Sequence, residues 1–333
     1  MLAQALILAT AALSTLQADV SFPNPWQIDL LTHDGLVFDI SAPFGTIGIG
    51  SGNAFFGFGY LQVNGRIYGS FEPLQLVTHP DGGRTVITGR MPTPEGLVVS
   101  RKICVPWRPG KNHARFLDII ENPTNSAKDV VVQFYGFSGL GSLAQMVIRS
   151  DEYVIISGDP HSSDSSRAFG VLFQRGLGFR SDRLADLIFY DSGLFSRAYL
   201  YVKVKPHERV SFVHFVVQGM PQAVTPHAGR TERGTAAVDD TTSDDVLRQL
   251  LELSETPDLS NLTPDEERSM WNFFIDTDVN MDGYVNVLDM IIVRNDLGKP
   301  PESARNPRCD VNHDIRINVL DMICVRNDLG WPF

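Results

Sequence analysis

Near the C-terminus of this 333-residue chain, oxygen-bearing side chains recur at fixed intervals. Asp278, Asn280, Asp282, Asn286 and Asp289 occupy positions one, three, five, nine and twelve of a loop, with Gly283 in its middle and the Tyr284 carbonyl between. That spacing wraps a turning backbone around one hard cation. Calcium takes about six to eight oxygen ligands, and the glycine makes the sharp turn between the halves of the cage. The order returns as Asp310, Asn312, Asp314, Arg316, Asn318 and Asp321, and 16 of the 21 positions in 278–298 are identical in 310–330. The first copy reads as a calcium site. In the second, Ile315 stands where the glycine was and Arg316 takes the carbonyl position. If that position needs positive φ, a β-branched residue there is strained by about 1–2 kcal/mol. The second loop then opens, binds more weakly or stays empty. A pair of Asx turns without metal explains the Asn/Asp chemistry but not five ligand positions recurring in order.

Each copy has the form D-x-N-x-D-G-x-[VI]-N-x-x-D, apart from Ile315, and continues into an apolar helix with a Leu-Gly end. The pair resembles a type I dockerin over about 60 residues. The resemblance implies a calcium-dependent module that plugs into a cohesin-type partner, mostly in extracellular polysaccharide-degrading systems, and it leaves the cargo unnamed. It also implies a partner surface at the loop ends, on Val287, Leu288, Val319 and Leu320. Ile292 and Cys324 lie one helical turn beyond. The competing use of these residues is a two-helix core, and the two uses coexist. Near-identical copies further permit two binding poses related by a two-fold axis.

The net charge of −11 is uneven: from Asp239 onward 20 acids face 8 bases, and the rest of the chain is almost neutral. Acidity concentrated in the calcium module argues against a nucleic-acid partner. Residues 1–18, MLAQALILATAALSTLQA, read as a signal peptide with a cut after Ala18. They lack the usual basic leading residues, so either the start is truncated or the α-amino group supplies the only charge. A buried helix is the competing reading, and the run is too short for a comfortable membrane span. The expectation is a secreted or cell-surface protein. Cys104, Cys309 and Cys324 make no disulfide framework. Cys104 lies in a strand-like run and reads as core. Cys309 and Cys324 could pair across the second loop, although an apolar role for Cys324, which replaces Ile292, is simpler.

Between Trp26 and Gly219 the sequence is β throughout, in runs such as LVFDI, ARFLDII, DVVVQFY and RVSFVHFVVQ. Asn64-Gly65, Asp81-Gly82 and Glu95-Gly96 fall between such runs, where hairpins need positive φ. About 14 to 16 strands are expected, in one large antiparallel β-sandwich or two smaller ones. The strand 96–102 and the stretch 115–124, ending in an Asn-Pro turn, bear a faint similarity to β-sandwich domains attached to carbohydrate-active enzymes. The expected fold is therefore mainly β, with a sandwich over 19–220, a linker over 221–262 and a small helical calcium-loop module over 263–333. Within the linker, a short helix over 243–253 would set Val246, Leu247, Leu250 and Leu251 on one side. Thr263, Pro264 and Glu266 form a capping box that opens a further helix running toward Trp271, Phe273 and Phe274. Trp331 and Phe333 are expected to clasp Trp271 or Phe274.

Catalytic signals in the sandwich are thin. The 136–139 segment is no nucleophile elbow, because its second glycine falls one position early. Gly48, Gly50 and Gly52 lack the lysine and helix of a phosphate cradle. His214, inside an apolar strand, reads as a core or sheet-face histidine. Asp29, Asp39, Asp118, Glu121 and Asp191 supply candidate carboxylates, but a glycosidase pair must flank a bond across about 5–9 Å. Asp118 and Glu121 face opposite sides of one strand. Phe56, Phe58 and Tyr60 are expected on one side, either as core or as a carbohydrate-binding strip. The reading is a secreted calcium-binding protein that docks to a cohesin-type partner and carries a binding or structural sandwich in an extracellular polysaccharide-related assembly. The alternative is a polysaccharide-active hydrolase of glycoside-hydrolase type with catalytic carboxylates in the sandwich; a calcium sensor is a weaker third.

Overall fold

Tight turns divide the N-terminal two thirds into strands. In this computed structural model the described residues are 25–51, 54–140, 145–149, 153–157, 168–173, 187–191, 194–219, 241–273, 277–280, 282, 284–311 and 316–330. The signal-peptide expectation therefore lies outside them. The three expected hairpin turns all adopt positive φ, at Asn64 (51°) and Gly65 (74°), Gly82 (86°) and Gly96 (85°).

The strands form two antiparallel sheets facing each other, 17 strands among the described residues rather than the expected 14 to 16. The first sheet runs, in spatial order, β1 (Gln27–Leu31), β2 (Val37–Ser41), β3 (Thr46–Ile47), β4 (Phe55–Val63), β11 (Lys128–Ser138), β16 (Leu194–Val204) and β15 (Leu187–Asp191). The two-residue β5 (Arg66–Ile67) pairs with β4. The second sheet runs β12 (Gln145–Arg149), β13 (Tyr153–Ser157), β14 (Ala168–Leu172), β17 (Arg209–Gln218), β10 (His113–Glu121), β9 (Val98–Val105), β7 (Arg84–Ile87) and β6 (Gln75–Thr78), with β8 (Met91–Pro92) on β9. One sandwich holds all of them.

Between the sheets, Phe38, Phe55, Phe58 and Phe134 of the first meet Ile103, Phe116, Phe169 and Val216 of the second. Leu61, Val132 and Val204 meet Val99, Ile120 and Phe212 further along. The sheets differ on their outer faces. Strands β4 and β11 alternate buried and exposed side chains, whereas β10 and β17 are buried almost without interruption. The causes are helix α1 (Thr241–Glu255), which lies on β13, β14 and β17, and the later segment whose Met270 and Phe273 share a cluster with Leu117 and Ile119 of β10. The buried stripe of α1 is Val246, Leu250 and Leu253, at i, i+4 and i+7. Each fully buried aliphatic side chain is worth about 1.5–3 kcal/mol. Leu251, expected on this stripe, is exposed, because one residue's rotation past Leu250 carries it off the contact. Gly170 permits the close approach: a Cβ there would lie 2.5 Å from Leu250 Cδ1 and 2.7 Å from Val246 Cγ1.

The chain then crosses the second sheet as a strap. Arg115 Nη1 donates to the carbonyls of Asp258 (2.6 Å) and Ser260 (2.8 Å), and buried His113 Nε2 lies 3.3 Å from Asp258 Oδ2. Helix α2 (Pro264–Arg268) opens on the expected capping box between Thr263 and Glu266, but it ends at Arg268. Beyond it, Ser211 N–H donates to the Ser269 carbonyl at 2.7 Å and Trp271 N–H to the Ser211 carbonyl at 2.8 Å. Asn272 bonds both backbone groups of Val213, accepting its N–H at 2.8 Å and donating to its carbonyl at 2.7 Å. Trp271 packs 5.5 Å from Phe212, and Phe273 5.4 Å from Phe215. Trp271 is thus taken by the sandwich core; Phe274, Trp331 and Phe333 of the expected clasp lie outside the described residues.

Candidate metal centre and docking face

The first loop is tied together by its own ligand positions. Asp282 N–H donates to Asp278 Oδ1 (3.2 Å) and Asn280 Oδ1 (2.8 Å), and Tyr284 N–H to Asp282 Oδ1 (2.9 Å). Asn286 Nδ2 reaches back to the Tyr284 carbonyl at 3.2 Å. Asp289 closes the ring, its Oδ1 accepting Asn280 N–H at 3.0 Å and its Oδ2 accepting Asn286 N–H at 2.9 Å. Asn286 and Asp289 also cap helix α3 (Val287–Asp296), whose N-terminus favours the negative charge. Met281 and Gly283 lie outside the described residues. Asp289 is fully buried, and among the described residues no base pairs with it. A carboxylate removed from water needs a compensating charge as well as N–H donors, and a bound cation meets that need. Asp278, Asp282 and Asp289 alone do not make a metal-sized cluster among the described residues. The Asn280 and Asn286 side-chain oxygens and the Tyr284 carbonyl stand in the same loop, and a calcium shell at this spacing would draw on them as well.

The second loop repeats the part that is described. Asn318 N–H donates to Asp321 Oδ2 at 2.7 Å, Asn318 Nδ2 to the Arg316 carbonyl at 3.3 Å, and the same capping box opens helix α4 (Val319–Asn327). Asp310 and Asp321 are buried. Asn312, Asp314 and Ile315 lie outside the described residues. The two halves are joined reciprocally: Gly298 N–H donates to the Ile317 carbonyl at 2.8 Å, and Gly330 N–H to the Val285 carbonyl at 2.9 Å. Both glycines have positive φ, 81° and 89°, so the Leu-Gly end of each repeat turns onto the other repeat's loop. Side chains follow the same symmetry, with Thr277 Oγ1 bonded to Asp328 Oδ2 at 2.8 Å and Cys309 Sγ 3.8 Å from Asp296 Oδ2. Between them Val279, Val285, Val293, Cys309, Val311, Ile317 and Val325 form one core. Burial, with Asp296 beside it, pushes the Cys309 thiol up to about 12. Cys309 and Cys324 are free thiols, so the pairing weighed from sequence is not formed.

Residues 276–330 match the family model described as Dockerin type I domain. The C-terminal module is a type I dockerin domain. Such domains bind Ca2+ and pair with cohesins. The match covers this module and leaves the sandwich unassigned. No curated protein matches the chain. Among solved structures, the Slr1438 protein from Synechocystis sp. PCC 6803 is similar at 9% identity and TM-score 0.38, over 61% of this chain and 99% of that one. A TPR-domain containing protein from Parabacteroides distasonis ATCC 8503 is similar at 8% identity and TM-score 0.35, over 62% and 49%. The heparan sulfate lyase HepC from Pedobacter heparinus is similar at 12% identity and TM-score 0.33, over 56% and 33%.

On the dockerin surface the two helix starts present matched apolar side chains. Val287 and Val319 are each 61% exposed, and Leu288 and Leu320 each 52%. Ile291 and Ile323 extend this patch by one turn. Ile292 and Cys324, also expected on the partner surface, are partly buried against the module core. Both Ile291 and Ile292 lie one turn from Leu288, but Ile291 is exposed whereas Ile292 packs partly against the core. Arg308 links module to strap, with Nη1 3.3 Å from the Glu267 carbonyl and Nη2 3.5 Å from that of Asp278.

The carboxylates singled out in the sandwich mostly serve structure. Asp118 is fully buried and takes a bidentate bond from Arg101, Nε at 2.5 Å and Nη2 at 3.0 Å. Burial alone would raise its carboxyl, but the Arg101 guanidinium and then His214 outweigh this and hold it below the usual range. Arg101 Nη1 also donates to the carbonyls of Gly59, Gly45 and Phe44. His214 is a core histidine, stacked 4.2 Å from Phe134 with Nδ1 3.7 Å from Asp118. Glu121 pairs with Arg90 and Arg209. Asp39 accepts the N–H groups of Ile49 (2.9 Å) and Gly50 (2.6 Å), and Asp29 is its cross-strand partner. The Asp191 side chain lies outside the description. No helix among the described residues is long and apolar enough to cross a membrane.

Proposed function

We propose that this is a secreted protein whose dockerin module binds calcium and then docks onto a cohesin, tethering the sandwich within an extracellular polysaccharide-related assembly. Asp278, Asn280, Asp282, Asn286 and Asp289, with the Tyr284 carbonyl, hold the first ion. Asp310, Asn312, Asp314, Asn318 and Asp321, with the Arg316 carbonyl, form the second site, weakened by Ile315. Calcium supplies positive charge beside buried Asp289, and the loops then fix both helix starts through their capping boxes. Val287, Leu288, Val319 and Leu320 form the contact surface, joined by Ile291 and Ile323. The sandwich over 19–220 is followed by a segment that packs on it as far as Phe273, so the module begins after Phe273 rather than at 263. The sandwich has a binding role.

One observation carries this reading: fully buried Asp289 and Asp321 stand at equivalent positions of two reciprocally clasped repeats, each below an exposed Val-Leu pair. A panel of purified cohesin domains, immobilised and probed with the full chain, tests it. Binding to at least one cohesin in calcium, released by chelator and lost in a Leu288→Asp/Leu320→Asp variant, is the expected result. Binding that survives both chelator and substitution would refute it. The hydrolase alternative draws support from the adjacent carboxylates Asp29 and Asp39. It is disfavoured by the commitment of both Asp39 oxygens to backbone N–H groups, and reducing-sugar release that Asp29→Asn abolishes would revive it.

A further inference from the structure

Outward on the first sheet, β4 and β11 carry an aromatic strip that no described element covers, whereas the outer face of the second sheet lies under helix α1 and the strap. Tyr60 and Tyr135 are direct cross-strand partners. Their half-buried rings stack 5.1 Å apart at 17°, and Phe44 leans on Tyr60 at 5.3 Å. Phe56 (75% exposed) and Phe137 (38%) continue the strip at one end. At the other end Gln62 and Gln133, also cross-strand partners, place two amides beside the rings. The arrangement is built by the backbone. Gly57 and Gly59 take φ of 74° and 94°, so Phe58 turns into the core while Phe56 and Tyr60 turn out. A Cβ on Gly57 would lie 3.0 Å from Tyr60 Oη, leaving no room for a side chain beneath the ring.

Charge selects among occupants. From Phe56 to Gln62 and from Gln133 to Phe137 no residue is charged. An anionic polymer calls for Lys or Arg and a cationic one for carboxylates; this stretch complements an uncharged chain. Exposed aromatic rings offer a flat apolar surface with a polar tip, which fits the C–H face of a pyranose ring, and side-chain amides both donate to and accept from hydroxyls. We propose that this strip binds a neutral polysaccharide, with sugar rings on Tyr60 and Tyr135 and hydroxyls on Gln62 and Gln133. The proposal deepens, and rests on, the binding role assigned to the sandwich. A second copy of this chain is the rival occupant.

Affinity electrophoresis of the full chain in calcium, through gels containing hydroxyethylcellulose, arabinoxylan or galactomannan and a polygalacturonate control, tests it. Retardation by at least one neutral polymer is expected. Tyr60→Ala and Tyr135→Ala should each weaken it about tenfold or more, Tyr60→Phe should retain it, and all variants should melt as the parent does. It is overturned by retardation in polygalacturonate alone, by no retardation in any neutral gel, or by Ala variants that bind unchanged. A dimer in light scattering that Tyr60→Ala dissolves would overturn it too, assigning the face to a second copy. Calcium heat from the same preparation shows whether the tethering reading survives such a failure.

Discussion

The sandwich closes two large sheets on an apolar core and buries the Arg101 guanidinium beside its own carboxylate, Asp118. The dockerin module has seven buried apolar residues and buries Asp289 and Asp321 among backbone N–H groups. The first region carries its counter-charge in the chain; on the proposed reading, Asp289 of the second takes its counter-charge from solution as calcium. Stability of the sandwich should therefore ignore calcium, while that of the module should follow it. The strap across the second sheet sits between the two regimes, held by buried ion pairs and hydrogen bonds as well as by Trp271 and Phe273.

The comparison breaks hardest at Arg101. Replacing it with Met leaves Asp118 buried without its partner and should cost about 3–5 kcal/mol, seen as an earlier sandwich transition in denaturant that calcium does not restore. If Arg101→Met melts as the parent does, the buried pair is not what the sandwich depends on. Next in size, saturating calcium at about 100 times its dissociation constant should stabilise the module by about 2.7 kcal/mol. Asp289→Ala should remove the first loop's share of that gain and leave the sandwich transition in place. Gly170→Val probes the boundary. Its side chain collides with Val246 and Leu250, and overpacking of this kind costs about 1–3 kcal/mol, read as lost amide protection in helix α1 before β14.

Acid gives the smallest effect, confined to the strap. Burial holds the His113 imidazole below its usual value, so its neutral form is the folded one. Stability from His113 is complete above about pH 6.5 and declines as pH falls through it. Asp258 and Glu266 behave alike: burial would raise each, but His113 and Lys102 respectively outweigh it and hold them below the usual carboxylate range. Their contributions are present above about pH 4.5 and are lost on further acidification. All three signs agree. Hydrogen exchange should show the Asn112 and Val213 amides, bonded to Gln249 and Asn272, losing protection between pH 7 and 4 while inter-sheet amides such as Leu61 keep theirs.

The dockerin module was legible because its information is local. Ligand spacing, the Asn-x-x-Asp capping boxes and the Leu-Gly ends each lie within a dozen residues, and the structure forms the capping boxes and the glycine ends as their order implies. The sandwich was legible as a class, from β-branched runs and Asn-Gly and Asp-Gly turns. What pairs with what was not. Phe58 was expected beside Phe56 and Tyr60, yet period-2 alternation fails across two positive-φ glycines. Trp271 looked like part of the module because it is near it in sequence. It joins the sandwich because β14 pairs with only the end of β17, leaving Ser211 and Val213 to bond the strap. The unbroken apolar run of β17 did carry the signal of a strand buried on both faces, without naming the helix that buries the second one.

Calcium titration calorimetry on the full chain, beside Asp289→Ala and an Asp289→Ala/Asp321→Ala double variant, tests the central claim most directly. The account predicts calcium-dependent heat in the parent, reduced to a weaker site in the single variant and abolished in the double. The same heat in all three proteins would place the ion elsewhere, and no heat in the parent would leave the buried carboxylates unexplained and the tethering reading contradicted.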